Sequence, residues 1–484
     1  MSAALIIIFA TIAGVLCLGL LARRGKDMNL EQWTVGGRGF GTILVFVLMA
    51  GEIYTTFTFL GGSGFAYGHG APTFYILSYG CLAYLLSYFL LPPIWRYAEK
   101  NRLISQPDFF AHKYDSPALG VLVALVGIVA LIPYLVLQLK GLGIIVDAAA
   151  YGAISPTLAI WIGAAVITAY VMVSGVRGSA WTAVVKDILI LAVVLFLGIY
   201  LPIHYYGGYG SMFSAIDAAK PGFLTLPAKG ESIAWFDSTV LLTAFGFYMW
   251  PHSFGSLFTA KEERTFRRNA VMMPLYQLIL LFVFFVGFAA ILQVPGLKGA
   301  EIDLSLLRLS VQSFDPWFVG VIGAAGVLTA LVPGSMILIA AATLLANNIF
   351  RIAQPHASDA TVSRLAKLLV PVVAVVSVVF TLQGGTTIVA LLLMGYSFVT
   401  QLFPTLVASL LPHNPVTREG AFAGICVGIA TVAATTLTHT SVATMFPALP
   451  GALQDLNIGI VALILNVVAL GIVSAVTRRR PAYA

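Results

Sequence analysis

The sequence predicts an all-α, polytopic membrane protein with about thirteen transmembrane helices, and three observations carry that prediction. The 484-residue chain is 60% hydrophobic and only 9% charged, far from a soluble average. Apolar runs of the roughly 20 residues needed to cross a bilayer recur along its whole length. Strand-type alternation over short segments is absent, which excludes a β-barrel. The net charge of +7 is carried by loops, so it reports topology and not nucleic-acid binding. Cys17, Cys81 and Cys426 lie in apolar runs at wide spacing and imply neither a disulfide framework nor a metal site; no cofactor is expected.

The apolar spans fall at about 3–22, 41–66, 73–98, 117–143, 157–175, 179–204, 236–258, 270–293, 316–350, 364–382, 385–411, 418–440 and 456–477. The first has no basic region before it and no small-residue cleavage site after it, which makes it a spanning helix and not a cleaved signal peptide. The 316–350 run exceeds one perpendicular crossing, so it is expected to tilt or to begin as a surface segment. With the N-terminus outside, an odd count puts the C-terminus in the cytoplasm. The cytoplasmic side then receives Arg23, Arg24 and Lys26, Arg38, the 96–113 loop, Arg177, KEERTFRR at 261–268, the 351–367 loop, Arg418 and the arginines at 478–480. The outer side holds only Lys220, Lys229, Lys298 and Arg308, with Lys140 near an outer end, as the positive-inside rule requires. The outer segment 205–235 is expected to be a long Gly/Pro-rich loop, and LSLLRLSVQSF within 294–315 a short amphipathic surface helix. No soluble domain or low-complexity tail is expected, hence no attached sensor or kinase module.

Polar residues then mark a symmetry. The second span, GTILVFVLMAGEIYTTFTFLGGSGFA, carries Glu52 near its middle beside Tyr54, Thr55, Thr56 and Thr58, with glycines at 51, 61, 62 and 64. A carboxylate at membrane depth costs roughly 2.5–3.5 kcal/mol on insertion scales, so a helix meant only for lipid would not carry it. The alternative is an interior helix whose Glu is paired for structural reasons. The seventh span is interrupted at its middle too, by Gly246, Trp250-Pro251-His252 and Gly255. A mid-span proline removes one backbone hydrogen bond and frees a carbonyl. Setting aside the first span and the last two leaves two groups of five, each opening on an interrupted helix. That is the pattern of a transporter site at an inverted-repeat interface. The whole chain, 1–484, is read as one transmembrane domain: an extra helix (3–22), a first repeat (41–204), a second repeat (236–411) and two additional helices (418–477).

Four stretches, EQWTVGGRGFGTILVFV, VSGVRGSAWTAVVKD, MWPHSFGSLFTAKEERTFRRNA and ALVPGSMILIAAATLLANNIFR, resemble the sodium:solute symporter family over nearly the whole length. The resemblance implies a LeuT-type five-plus-five inverted repeat, with solute bound between core helices one, two, three, six and ten. Within the family the chain is similar to the bacterial monocarboxylate and pantothenate permeases, with a pattern like those for lactate and pyruvate. The resemblance also implies a sodium site built from two carbonyls of core helix one, at Ala50 and Ile53, with a carbonyl at Thr329 and hydroxyls at positions 332 and 333 on core helix eight. Here those last two are Val332 and Pro333. Neither offers a side-chain oxygen, the proline is expected to disrupt the helix, and a hard cation needs about five oxygens in place. The site reads as vestigial, although a one-residue gap in the alignment would bring in Ser335.

Core helix five departs in the same direction. Where the family often has Trp-Thr-Asp, the chain has Trp181-Thr182-Ala183, and one turn on stands Lys186. Some proton-coupled transporters of the same superfold carry a lysine on this helix whose ammonium takes the sodium position. Lys186 is similarly placed and can exchange a proton within a cycle; Glu52 is its candidate partner. The competing reading puts Lys186 at the cytoplasmic end of its helix, snorkelling to the interface beside Asp187.

These expectations describe a secondary active transporter, not an enzyme, in the bacterial cytoplasmic membrane. It imports a small monocarboxylate such as lactate or pyruvate with a proton and without sodium. The carboxylate is expected against the unwound part of 50–58, where free N–H groups favour an anion. Gly51, Tyr54, Thr55 and Thr58 are candidate contacts there, joined by Gln138, Trp250, His252, Tyr396 and Gln401. His252 is equally a cap of a broken half-helix, and Tyr396 and Gln401 equally packing residues. The first rival is Na⁺-coupled uptake of a monocarboxylate, pantothenate or another small organic solute, which calls for hydroxyls at 332 and 333. A channel would need a continuous polar stripe, and an enzyme a metal cluster or a nucleophile–base pair. The histidines show no spacing such as HExxH.

Overall fold

The computed structural model describes residues 3–25 and 27–478; Lys26, Arg479 and Arg480, assigned above to the cytoplasmic face, lie outside them. Among the described residues ten helices are long and apolar enough to cross a membrane. One of them, Pro156–Tyr206, is two spans in one. Two further crossings, the second and the seventh, are broken helices, which brings the spans to the thirteen read from sequence.

Span one, Ala3–Arg23, lies against the fifth and ninth spans, where Gly19 makes room for the ring of Tyr170 and Gly320 for the backbone of Ala4. Span two runs helical over Thr42–Ala50, loses its helix at 51–55, and resumes at residue 56 through a wide turn at Phe57–Gly61 into Gly62–His69. Span three, Tyr75–Lys100, leads to a short helix, Gln106–Lys113, fixed by a reciprocal cap between Ser105 and Asp108. Span four, Pro117–Ala149, starts as the sequence dictates, with Ser116 capping and Pro117 at the first helical position.

Spans five and six reverse at one residue. Gly175 sits at φ 56°, ψ −160°, and a side chain there would meet the Trp33 carbonyl. The hydroxyls of Tyr170 and Thr182 stand 2.6 Å apart. Twelve residues along a straight helix would separate them by about 18 Å, so the chain folds back on itself.

Span seven is helical over Ile233–Gly246, tightens at Phe247–Met249, breaks at Trp250 in an extended conformation (φ −65°, ψ 130°), and restarts at Pro251–Leu257. Arg264–Gln293, Asp359–Gln383 and Ile388–Leu410 supply spans eight, ten and eleven. Span nine, Pro316–Ala353, is enclosed on all sides over residues 322–344. Pro333 does not disrupt it, contrary to expectation, because the helix continues through Pro333 as far as Thr343. Surrounding helices keep water from the weakened turn. Nor is the outer segment 205–235 wholly loop, since Tyr209–Ala219 is helical. The amphipathic outer segment does form a helix, Ser305–Ser313, which buries Leu306, Leu307 and Leu309. Spans twelve and thirteen, Arg418–Leu437 and Ile458–Thr477, pair closely with each other.

Candidate functional site

The two broken helices meet at their breaks. In span two the chain between Ala50 and Phe57 ties itself with its own threonines. The Thr58 hydroxyl donates to the carbonyls of Ile53 (2.7 Å) and Thr55 (3.0 Å) and accepts from the Thr55 N–H, while the Phe57 N–H donates to Thr55 Oγ1. The Thr56 N–H reaches Gln138 Oε1 on span four at 3.3 Å. Across the gap, Ser253 of span seven donates to Glu52 Oε2 at 2.5 Å.

Lys186 lies eleven residues past the Gly175 reversal, roughly 16 Å along its helix and so near the middle of a ~30 Å hydrocarbon layer. It is 0% exposed. Its ammonium donates to the carbonyls of Gly51 and Tyr54, each at 3.0 Å, and pairs with Asp187 at 2.8 Å. The interface-snorkelling reading is therefore overturned: burial this complete leaves no path to water. The carbonyls that receive the ammonium lie one residue beyond the expected Ala50 and Ile53. Those two are engaged in their own turn, Ala50 by the Ile53 N–H and Ile53 by Thr55 and Thr58. Glu52 takes Ser253, and not Lys186, as its direct partner.

On span nine the Thr329 hydroxyl donates to the Gly326 carbonyl, and Ser335 donates to the Val332 carbonyl while facing Ser179 at 2.6 Å. Val332 and Pro333 bring no side-chain oxygen, and an ammonium already holds the two carbonyls of the break.

Beside the breaks lies a cavity of ≈ 20 Å³, about the room of a single water molecule. Among its lining residues are Glu52, Ile53, Thr58, Trp250 and Tyr396, five of the residues singled out by sequence. Sequence reasoning missed Tyr79, Tyr134, Ser253 and Gln277, which line it as well. Their signal was present: each is a polar or amphipathic residue inside an apolar span, on the same argument that found Glu52. The rings form a wall, with Tyr134 centred 4.7 Å from Trp250 and Trp250 5.2 Å from Tyr396. His252 is buried against Tyr134, ring centres 5.2 Å apart.

The remaining candidates sit elsewhere. Tyr54 turns its hydroxyl to the Tyr276 carbonyl on span eight, so only its backbone serves the lysine. Gly51 likewise contributes its carbonyl. Thr55 and Gln138 brace the unwound backbone. Gln401 is not brought to the cavity: its amide donates to the Gly459 carbonyl, and Asn466 of span thirteen donates back to it, so this residue anchors the additional helices.

A partly buried ion pair ties span four to the segment before Ser305 and to the start of span eleven. Lys140, on span four, donates to Asp303 Oδ2 and to the Thr386 carbonyl, both at 2.7 Å. The same carboxylate oxygen accepts from the Ile388 N–H at 3.0 Å. Burial raises the Asp303 carboxyl above its usual range, against the pull of Lys140. Gly64 and Gly68 let the Asp303 segment approach span two, since a side chain at Gly64 would stand 2.8 Å from the Ile302 carbonyl.

A model of the sodium:solute symporter family matches residues 33–428. An uncharacterized symporter of Bacillus subtilis, YhjB, is 67% identical over 479 residues, covering 99% of this chain and 98% of that one. A monocarboxylate transport permease protein of Rhizobium johnstonii is 30% identical over 422 residues, 86% of this chain and 84% of its own. Among solved structures, a Na⁺-coupled sialic acid symporter in a substrate-bound outward-open state superposes with a TM-score of 0.80 over 98% of both chains at 17% identity. That likeness gives the fold, which is LeuT-like.

Proposed function

The chain belongs to the sodium:solute symporter family, and from that premise we propose that it imports a small monocarboxylate, such as lactate or pyruvate, together with a proton and without sodium. It is a multi-pass secondary symporter and not an enzyme. The observation that carries the coupling reading is the Lys186 ammonium, held by the carbonyls of Gly51 and Tyr54 at the break of span two. A fixed cation among those oxygens does locally what a bound sodium would do. It differs in that its charge can be withdrawn by losing a proton. Val332 and Pro333 support the same reading by leaving a sodium ion short of ligands. The 30% identical monocarboxylate permease supports the solute class. On this reading spans two to six and seven to eleven are inverted repeats moving about the breaks. The N-terminus faces outward and the C-terminus the cytoplasm, across the bacterial cytoplasmic membrane.

Uptake of labelled lactate into proteoliposomes tests it. An inward proton gradient should drive accumulation in the wild type, an inward sodium gradient should add nothing, and Lys186→Ala should abolish the proton-driven component. Accumulation that requires sodium would overturn the coupling assignment and return Ser335, whose hydroxyl pairs with Ser179, to the role of a cation ligand.

A further inference from the structure

We propose, resting on the monocarboxylate reading, that the solute carries a hydrogen-bond donor on its second carbon, a hydroxyl or an ammonium, and that Glu52 and Gln277 recognise it. Both residues line the cavity beside the broken helices, which has room for one water and must widen to admit a solute. Each presents one buried oxygen that has no hydrogen-bond partner among the described residues: Glu52 Oε1 and Gln277 Oε1. Their orientation is fixed from behind. Ser253 donates to the other oxygen of Glu52, and the Gln277 amide nitrogen donates to the Ile76 carbonyl at 3.2 Å, which turns its oxygen the other way.

The same cavity holds one buried donor in the same condition, the indole N–H of Trp250. One unmatched donor and two unmatched acceptors, beside three tyrosine hydroxyls that can each donate or accept, sort a small solute by its chemistry. The carboxylate accepts from the indole, and the acceptors take an O–H or N–H from the adjoining carbon. Tyr79, Tyr134 and Tyr396 close the sides. Buried polar atoms left unmatched are costly. An alkanoate such as acetate leaves both acceptors unsatisfied, and a 2-oxo acid such as pyruvate adds a third acceptor facing them. A site built to bond a substrate donor rejects the analogue that lacks it far more strongly than an apolar pocket rejects a missing methyl group.

The test is competition against labelled lactate in wild-type proteoliposomes under an inward proton gradient. Glycolate, alanine, pyruvate and acetate are the competitors. Glycolate or alanine should compete at least about tenfold better than pyruvate and acetate, and the stronger of the two tells whether the donor is hydroxyl or ammonium. In Gln277→Met the discrimination should shrink, and in Glu52→Gln, which can turn an amide N–H to the cavity, pyruvate should gain relative to lactate. Titrations of Trp fluorescence on the purified, monodisperse variants give the same ranking even where transport is impaired. Pyruvate and acetate competing as well as glycolate and alanine would overturn the inference while leaving monocarboxylate transport standing. Failure to transport lactate, glycolate, alanine or pyruvate would remove the monocarboxylate reading and this inference with it.

Discussion

A single methyl group placed on Gly141 would stand 1.7 Å from Thr56 Cγ2, at the end of the unwound part of span two. Span four can brace the break, through Gln138 three residues earlier, only because residue 141 has no side chain. Gly141→Ala should therefore cost about 1–3 kcal/mol as overpacking and lower the melting midpoint in detergent. Adding Thr56→Ser, which removes the clashing methyl, should recover part of the loss; equal midpoints for Gly141→Ala and wild type would show that the contact is slack. Lys186 was legible as an oddity because the family resemblance set an empty acid position one turn before it. The carbonyls that hold it were not. The family resemblance implied Ala50 and Ile53, and the backbone of the unwound residues 51–55 turns the carbonyls of Gly51 and Tyr54 to the ammonium instead. Gln401 was misassigned for a different reason: periodicity puts it on a buried face without saying whether the neighbour is the cavity or span thirteen.

Among the elements, the broken helices were the most readable, since Glu52, the glycines and Trp250-Pro251 have no business in a lipid-facing rod. The reversal at Gly175 was harder to read. Nothing in VSGVRG signals that one positive φ suffices to turn the chain without a loop. The tie between Lys140 and Asp303 was missed altogether, because the two are 163 residues apart and meet only in three dimensions. Removing Asp303 leaves the partly exposed Lys140 without its carboxylate, at a cost below the roughly 3–5 kcal/mol of a fully buried pair. Since the pair joins span four to the segment before Ser305 and to the start of span eleven, the loss should favour an outward-opened form. A cysteine at Leu392, which lines the cavity, should react with an impermeant thiol reagent at least about tenfold faster in Asp303→Asn than in the parent. Unchanged labelling would mean that the pair holds the surface and not the access path.

At the scale of the molecule, two rows of charge organise a mostly apolar chain: one set in the loops, which fixed the span count and the expected orientation, and one buried set, of which Lys186 and Asp187 are adjacent members. Those two are separated by 2.8 Å and ride on the same helix. An unpaired charge carried across the membrane field does electrical work of about 2.3 kcal/mol per 100 mV. A matched pair displaced together does almost none. A swing of span six in which Lys186 keeps its proton then moves no net charge on that helix, and lactate counterflow, which needs no loss of that proton, should run equally fast at zero and at about 100 mV when measured with potassium and valinomycin. Asp187→Asn, which leaves the ammonium alone, should make the same exchange voltage-dependent. A cell that loses its membrane potential while keeping its pH difference would, by this construction, keep its carrier turning.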